Sequence, residues 1–160
     1  MKQTIKKAPI ILLVSFSLVG CVSRSKQELM RIEEKTELKY LADGKILFYY
    51  DDIKGFDSSG PVYCVLDYFN SNKKEEFISQ FYNVKTGENS LQNENSDKFE
   101  TVINNFLQQW MGNDYSSFDE QYKLDFTKSY SYYCPRLEPF EQALIYYAET
   151  STAYLIYLEM

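Results

Sequence analysis

Three cysteines carry the most reactive side chains of this 160-residue sequence: Cys21, Cys64 and Cys134. A thiolate can act as a nucleophile or a metal ligand, and two thiols can form a disulfide. The chain has no histidine, which excludes Cys–His and Ser–His nucleophiles and imidazole metal ligands. The cysteines also lack the close spacing of zinc or redox motifs, and no phosphate-binding or dinucleotide-binding loop is present. We therefore predict no catalytic residue, no metal site and no cofactor.

Adjacent carboxylates are the second group that could do chemistry: Asp51-Asp52, Glu75-Glu76 and Asp119-Glu120. Two carboxylates held at a defined separation can hydrolyse a glycosidic bond. Acidic side chains are most often solvated surface groups, however. The sequence therefore favours a non-enzymatic protein, with a carboxylate-dependent glycan hydrolase as the alternative.

Tyrosine is unusually abundant, with 15 residues. Tyr49-Tyr50, Tyr132-Tyr133 and Tyr146-Tyr147 are adjacent pairs within predicted strands. Because side chains alternate along a strand, each pair sends one ring to each face of the sheet. We predict that the outer rings form an amphipathic platform that binds a protein or a glycan. The alternative is that tyrosine serves only as a good strand former on a half-exposed sheet.

The N-terminus has the layout of a secretory signal peptide. Lys2, Lys6 and Lys7 precede an apolar stretch over residues 8–19. A helix of that length reaches about 18 Å, whereas a hydrocarbon core is about 30 Å thick. The segment is therefore predicted to be a cleaved leader rather than a permanent transmembrane anchor.

The quartet Leu18-Val19-Gly20-Cys21 resembles the lipobox of bacterial lipoproteins. The resemblance covers these four residues and the leader. It implies that residues 1–20 are removed, that the Cys21 thiol receives a diacylglyceryl group, and that the new amino group is acylated, for example by palmitate. Two or three acyl chains hold a protein stably on a bilayer. The alternative is an ordinary signal peptide that happens to be followed by cysteine.

The residues after the cysteine bear on location. Val22 and Ser23 follow Cys21, where lipoproteins kept at the inner membrane often carry aspartate. By resemblance, the protein is expected at the outer membrane facing the periplasm if the source cell has two membranes. Residues 21–24 would form the lipidated cysteine and a short tether.

Cys64 and Cys134 remain as an even pair in an oxidising compartment. Each lies in an aromatic, strand-like segment. A bridge between them would close a loop of about 70 residues and stabilise the protein by about 4 kcal/mol. We predict this disulfide, with two buried thiols that act as small hydrophobic side chains as the alternative.

Charge limits the classes of partner. The leader holds three of the 17 lysines and arginines and none of the 23 acidic residues, so residues 21–160 carry a net formal charge of −9. Nucleic-acid affinity depends on neutralising phosphates, and a chain this acidic is unsuited to it. The charge instead favours solubility or contact with a basic partner.

Hydrophobic patterning predicts one α+β domain over residues 25–160. A capping box at Ser25–Glu28 begins a helix that runs to about Leu41. The clearest helix is predicted from Phe99 to Trp110, where apolar residues recur at helical spacing. Other segments predict strands at 45–52 and 62–69, a helix after Asn72 with a strand over 75–85 as the alternative, and a C-terminal hairpin. We expect a mostly antiparallel sheet with about three helices packed on one face.

These observations predict a lipid-anchored cell-envelope protein that acts by protein–protein contact, either as an envelope-assembly accessory or as an immunity-like inhibitor. The expected contacts are a membrane, through the N-terminal lipid, and a protein partner, and the acidic charge favours a basic one. The alternative is a cell-wall glycan-binding module or the glycan hydrolase introduced above.

Overall fold

A single antiparallel sheet organises the protein. The computed structural model describes residues 23–52, 60–82 and 96–159; the predicted leader, residues 1–20, and Cys21 lie outside them. The five strands of the sheet have the order β1-β2-β5-β4-β3. The strands are β1 (Lys45–Asp51), β2 (Gly60–Asp67), β3 (Ser131–Tyr133), β4 (Gln142–Tyr147) and β5 (Thr152–Glu159).

Four α-helices lie within the described ranges, and 3-10 turns occur at Leu41–Asp43 and Glu120–Tyr122. The predicted α+β class and antiparallel sheet are confirmed, as is the C-terminal hairpin, in which β4 pairs with β5. The α-helices are α1 (Arg24–Lys35), α2 (Lys74–Tyr82), α3 (Ser96–Trp110) and α4 (Gly112–Ser116).

The helices cover both faces of the sheet, which corrects the expectation that they pack on one. Leu29 of α1 and Phe77 of α2 share a core with Cys64 of β2 on what we call the first face. Phe99 of α3 and Tyr63 of β2 belong to the core of the second face. The physical reason is that β2 and β4 are continuous apolar segments, which is typical of strands buried on both sides.

Helix α3 contributes most of the second core. Its residues Phe99, Ile103, Phe106 and Leu107 are buried, as the helical spacing predicts, whereas Trp110 is 44 % exposed at the end of the stripe. The stripe therefore specifies the buried face of α3 up to its last turn.

Helix α1 is shorter than predicted and begins earlier. Ser23, rather than Ser25, is its N-cap, and the Ser23 hydroxyl accepts a hydrogen bond from the Lys26 N–H at 3.3 Å. At the other end Thr36 competes with the helix, because its hydroxyl donates to the carbonyl of Ile32 at 2.8 Å. The chain then leaves helical geometry before the buried Leu38.

Gly44 precedes β1 at a point of close approach. A Cβ atom at this position would lie 2.8 Å from Cζ of Tyr68. The Tyr68 ring is fully buried, and its hydroxyl donates to the carbonyl of Tyr40 at 2.8 Å. A side chain at Gly44 would therefore displace a ring that the core holds in place.

Candidate functional site

The six paired tyrosines divide between the faces as predicted, but they do not form an exposed platform. Tyr49, Tyr133 and Tyr146 pack on the first face, and Tyr50, Tyr132 and Tyr147 pack on the second. Since helices and loops cover both faces, all six rings are buried or half-buried. β1 also lies at the opposite edge from β3 and β4. The predicted binding platform is therefore wrong.

Several tyrosines instead form hydrogen bonds to the backbone of residues 117–125, a largely irregular segment that covers the second face. The Tyr63 hydroxyl donates to the carbonyl of Tyr122 at 2.7 Å. The Tyr147 hydroxyl donates to the carbonyl of Asp125 and accepts from its N–H, both at 3.2 Å. Burial raises the pKa of Tyr63 and of Tyr147. These hydroxyls satisfy backbone groups that the segment itself leaves unpaired.

Cys64 and Cys134 are both free thiols, so the predicted disulfide is wrong. Cys64 is buried in the first face, whereas Cys134 packs against the second. The sheet therefore separates the two sulfur atoms. Burial raises the pKa of Cys134 to about 11 and that of Cys64 further. The thiols act as small hydrophobic side chains, the alternative that the sequence left open.

Thiol labelling checks this assignment. In the Cys21→Ser variant at pH 8, we expect a disulfide-exchanging reagent to label Cys134 slowly and Cys64 not at all, because a raised thiol pKa and burial suppress the reactive thiolate. In denaturant without reductant, two thiols should react. Cys134→Ala should abolish the labelling of the native protein. If the thiols react only after reduction, the two cysteines are bridged and the assignment fails.

The acidic doublets do not form a catalytic pair within themselves. Neighbouring Asp51 and Asp52 follow strand geometry, which directs adjacent side chains to opposite faces. Glu76 pairs with Lys73 at 3.0 Å, and this hydrogen bond lowers the pKa of Glu76. Glu120 pairs with Lys123 at 2.8 Å. Among the described residues, no group of three or more acidic or cysteine side chains is arranged to hold a metal ion.

The described part of the chain includes two surface grooves that could hold a ligand. One, of about 620 Å³, runs along residues 120–125 and has Tyr147, Tyr154 and Lys128 in its walls. The other, of about 530 Å³, contains Glu37 and Glu141.

The second groove has two carboxylates in its walls, each with a neighbour of its own. Tyr133 donates a long hydrogen bond of 3.4 Å to Glu37, and Arg136 pairs with Glu141 at 3.2 Å. Tyr133 of β3 therefore contacts the loop after α1, and each carboxylate of the groove has a polar neighbour.

A third candidate surface is the end of β1, where three carboxylates surround Tyr50 from both faces of the strand. We call Asp51, Asp52 and Asp114 the acidic cluster. The Tyr50 hydroxyl donates to the Asp114 carboxylate at 2.8 Å. Burial, that hydrogen bond and the charges of the cluster together raise the pKa of Tyr50. Arg24 lies 3.7 Å from Asp51, and its side chain is 78 % exposed.

The sequence indicates only part of this cluster. The Asp51-Asp52 doublet is visible directly, but Asp114 lies 64 residues beyond Tyr50 in the chain. It reaches β1 because α4 follows α3 across the second face. No periodicity or motif in the sequence reports that contact.

Comparison of the chain with known protein families, with curated proteins and with solved structures gave no match. No family and no relative therefore points to an enzymatic activity. In the described residues, no helix has the length and apolar character needed to cross a membrane.

Proposed function

We propose that this protein is a lipid-anchored protein of the cell envelope that acts by contact with another protein. The observation that carries the anchor is the Leu18-Val19-Gly20-Cys21 quartet together with the position of Ser23. Ser23 is the N-cap of α1 and stands two residues after Cys21. A lipid on Cys21 would therefore hold the domain directly against the bilayer, without a long linker.

A basic partner is supported by charge. Residues 21–160 have a net formal charge of −9, and the acidic cluster concentrates part of that charge at one end of the sheet. Such a field attracts basic proteins and raises their association rates. An envelope-assembly accessory and an inhibitor of a basic toxin or enzyme both fit this chemistry.

The anchor is tested by mass spectrometry of the full chain produced in a bacterial cell. We expect the N-terminal peptide to begin at Cys21 and to carry fatty acyl mass. Cys21→Ser should leave the protein unacylated and release it from the membrane fraction, while the matched Ser23→Ala variant should remain acylated. A peptide that begins at Met1, or that lacks acyl mass, would contradict the proposal.

The contact is tested by cross-linking in living cells. A photoreactive amino acid at Lys45, Phe69 or Trp110 should give a covalent complex with a basic envelope protein from at least one position. Raising the ionic strength from about 0.05 to about 0.5 M before irradiation of envelope extracts should weaken the complex, because salt screens exposed charges. Absence of a complex from all three positions would count against a contact function.

A glycan-binding module is the second candidate, and the groove of about 620 Å³, which has the half-buried Tyr122 and the carboxylates of Glu120 and Asp125 in its walls, favours it. Sugars stack on aromatic side chains and hydrogen-bond to nearby carboxylates. The hydroxyl of Tyr147 is already engaged with Asp125, however. Sedimentation of the protein with purified cell-wall glycan, and its loss in a Tyr122→Ala variant, would favour this candidate instead.

A further inference from the structure

The hydrogen-bond pattern of the sheet determines which backbone groups of β1 point away from β2. The Asp52 N–H donates to the carbonyl of Pro61 at 3.2 Å, one position beyond β1. Residue pairs of an antiparallel ladder alternate between bonded and non-bonded. In the observed register, Tyr50 is therefore bonded to β2, whereas Tyr49 and Asp51 stand at non-bonded positions.

The pairing of β2 with β5 independently supports the assignment of Tyr49 and Asp51 to non-bonded positions. The Tyr68 N–H donates to the carbonyl of Ser151 at 2.9 Å. The bonded pairs of β2 and β5 recur at every second residue from Tyr68, so Val62 and Cys64 are bonded to β5. These are the residues opposite Asp51 and Tyr49. The N–H and C=O groups of Asp51 and Tyr49 therefore face outward, and no backbone partner elsewhere in the described ranges reaches them.

The two edges of the sheet differ in how they are protected. β3 has only three residues and is followed closely by Pro135, and shortness and proline are common ways to block an edge. β1 has seven residues, with a register shift between Ile46 and Phe48 and a regular stretch afterwards. An open, regular edge is a template for another strand. Phe48–Asp52 is that stretch.

Charge indicates what kind of strand fits there. The acidic cluster flanks the open stretch, with Asp51 within it and Asp114 beside Tyr50. Lysine or arginine side chains on an incoming strand would meet these carboxylates, and at Asp51 they would join or displace the exposed Arg24 side chain 3.7 Å away. A second copy of this chain, paired antiparallel through the same stretch, would bring two acidic clusters together, and opposed like charges destabilise a strand pair.

We propose that the edge of β1 over Phe48–Asp52 binds an extended segment of a partner protein that carries lysine or arginine and adds to the sheet as a sixth strand. The outward N–H and C=O groups of Tyr49 and Asp51 supply the main-chain hydrogen bonds, and the acidic cluster supplies the charge selectivity. The proposal rests on the proposed contact function and names its surface.

Peptide probes test the proposal by NMR on the full chain, purified from cells in detergent. The probe is a capped seven-residue peptide of alternating lysine and valine. We expect the amide signals of Tyr49 and Asp51 to shift on titration. Their hydrogen exchange should be fast without the peptide and slowed with it, while the Tyr50 amide should be protected in both states. A glutamate–valine peptide, which has the wrong charge, and a lysine–proline peptide, which lacks backbone N–H groups at its prolines, should both leave these signals and exchange rates unchanged.

A matched pair of variants separates the hydrogen bond from the charge. Asp51→Ala and Asp51→Pro both remove the carboxylate, but only proline removes the outward N–H. Proline is tolerated on an edge where its N–H would face solvent. We expect Asp51→Pro to weaken peptide binding at least about tenfold more than Asp51→Ala. If Asp51→Pro does not fold, the hydrogen-exchange measurement on the unmodified chain still tests the proposal.

Three results would overturn the proposal. Asp51→Ala and Asp51→Pro could weaken peptide binding equally, the lysine–proline peptide could bind as tightly as the lysine–valine peptide, or the protein could form a dimer that Asp51→Pro abolishes. Failure here is distinguishable from failure of the proposed function. Cross-linking to a basic envelope protein that survives Asp51→Pro would keep the contact function and move it to another surface. An unacylated Cys21 would remove the anchor whatever the peptides do.

Discussion

Above pH 10 the protein is expected to unfold in one cooperative step, with tyrosine ionisation and loss of secondary structure occurring together. Burial raises the pKa of Tyr63 and of Tyr68 well above 10. Their neutral hydroxyls donate to the carbonyls of Tyr122 and Tyr40. A phenolate can neither donate these bonds nor be buried without a large desolvation cost. Ionisation therefore requires the fold to open.

The direction in which stability changes with pH follows from proton linkage. An unfolded tyrosine has a pKa near 10, and the folded values are higher, so between the two the native state binds more protons. Stability is then fully present below about pH 10 and falls as the pH rises. Ten described tyrosines share a raised pKa: Tyr49, Tyr50, Tyr63, Tyr68, Tyr115, Tyr130, Tyr132, Tyr133, Tyr147 and Tyr154.

The loss of stability at high pH is expected to be large because many tyrosines contribute to it together. One unit of pKa difference is worth about 1.4 kcal/mol, and a domain has about 5–15 kcal/mol in total. A few buried tyrosines are therefore enough to unfold the protein by about pH 12. Absorbance at 295 nm and circular dichroism should share one midpoint, and Tyr63→Phe should reduce the steepness of the loss. A gradual rise in absorbance with the fold intact would refute this explanation.

Local patterns predicted the elements whose periodicity is complete. The helix at 99–110 and the hairpin of β4 and β5 follow from spacing alone. The ends of α1 were not predicted. Ser25 favours a capping box with Glu28, yet Ser23 is the N-cap, and the Thr36 hydroxyl donates to the carbonyl of Ile32 at the other end. Both serines are good N-cap residues, so propensity alone does not choose between them.

The two errors in the site predictions have different grounds. The platform of tyrosines assumed a sheet with one open face, whereas the disulfide rested on an even pair of cysteines in an oxidising compartment. The unbroken apolar segments of β2 and β4 already indicate two covered faces. Given that, one ring of each tyrosine pair must be buried on either side. The face of Cys134 depends on how β3 pairs with β4, and Asp114 reaches β1 through α4. Such long-range pairings have no local signature.

Replacing Phe77 by alanine is expected to remove about 3–5 kcal/mol of unfolding free energy. Phe77 is the fully buried residue of α2. Its ring stacks on Tyr68 with centroids 3.8 Å apart, and it meets the edge of Tyr146 at 5.8 Å. Without this ring, α2 keeps only partly buried contacts of Ile78 and Phe81 with the first core, together with hydrogen bonds such as that from Lys74 to Ser151 at 2.8 Å. These bonds compete with water and cannot replace the lost burial.

Urea unfolding of Phe77→Ala measures the loss, and Phe69→Ala is the matched control. Phe69 is 70 % exposed and has Lys74 6.0 Å from its ring, so its removal should cost less than about 1 kcal/mol. The difference between the two variants isolates burial, because both remove the same side chain from the same part of the protein. Equal losses would mean that α2 is not anchored by Phe77. Since α2 covers the first face, its detachment would expose Cys64, and thiol labelling of Phe77→Ala should then reach Cys64 under native conditions.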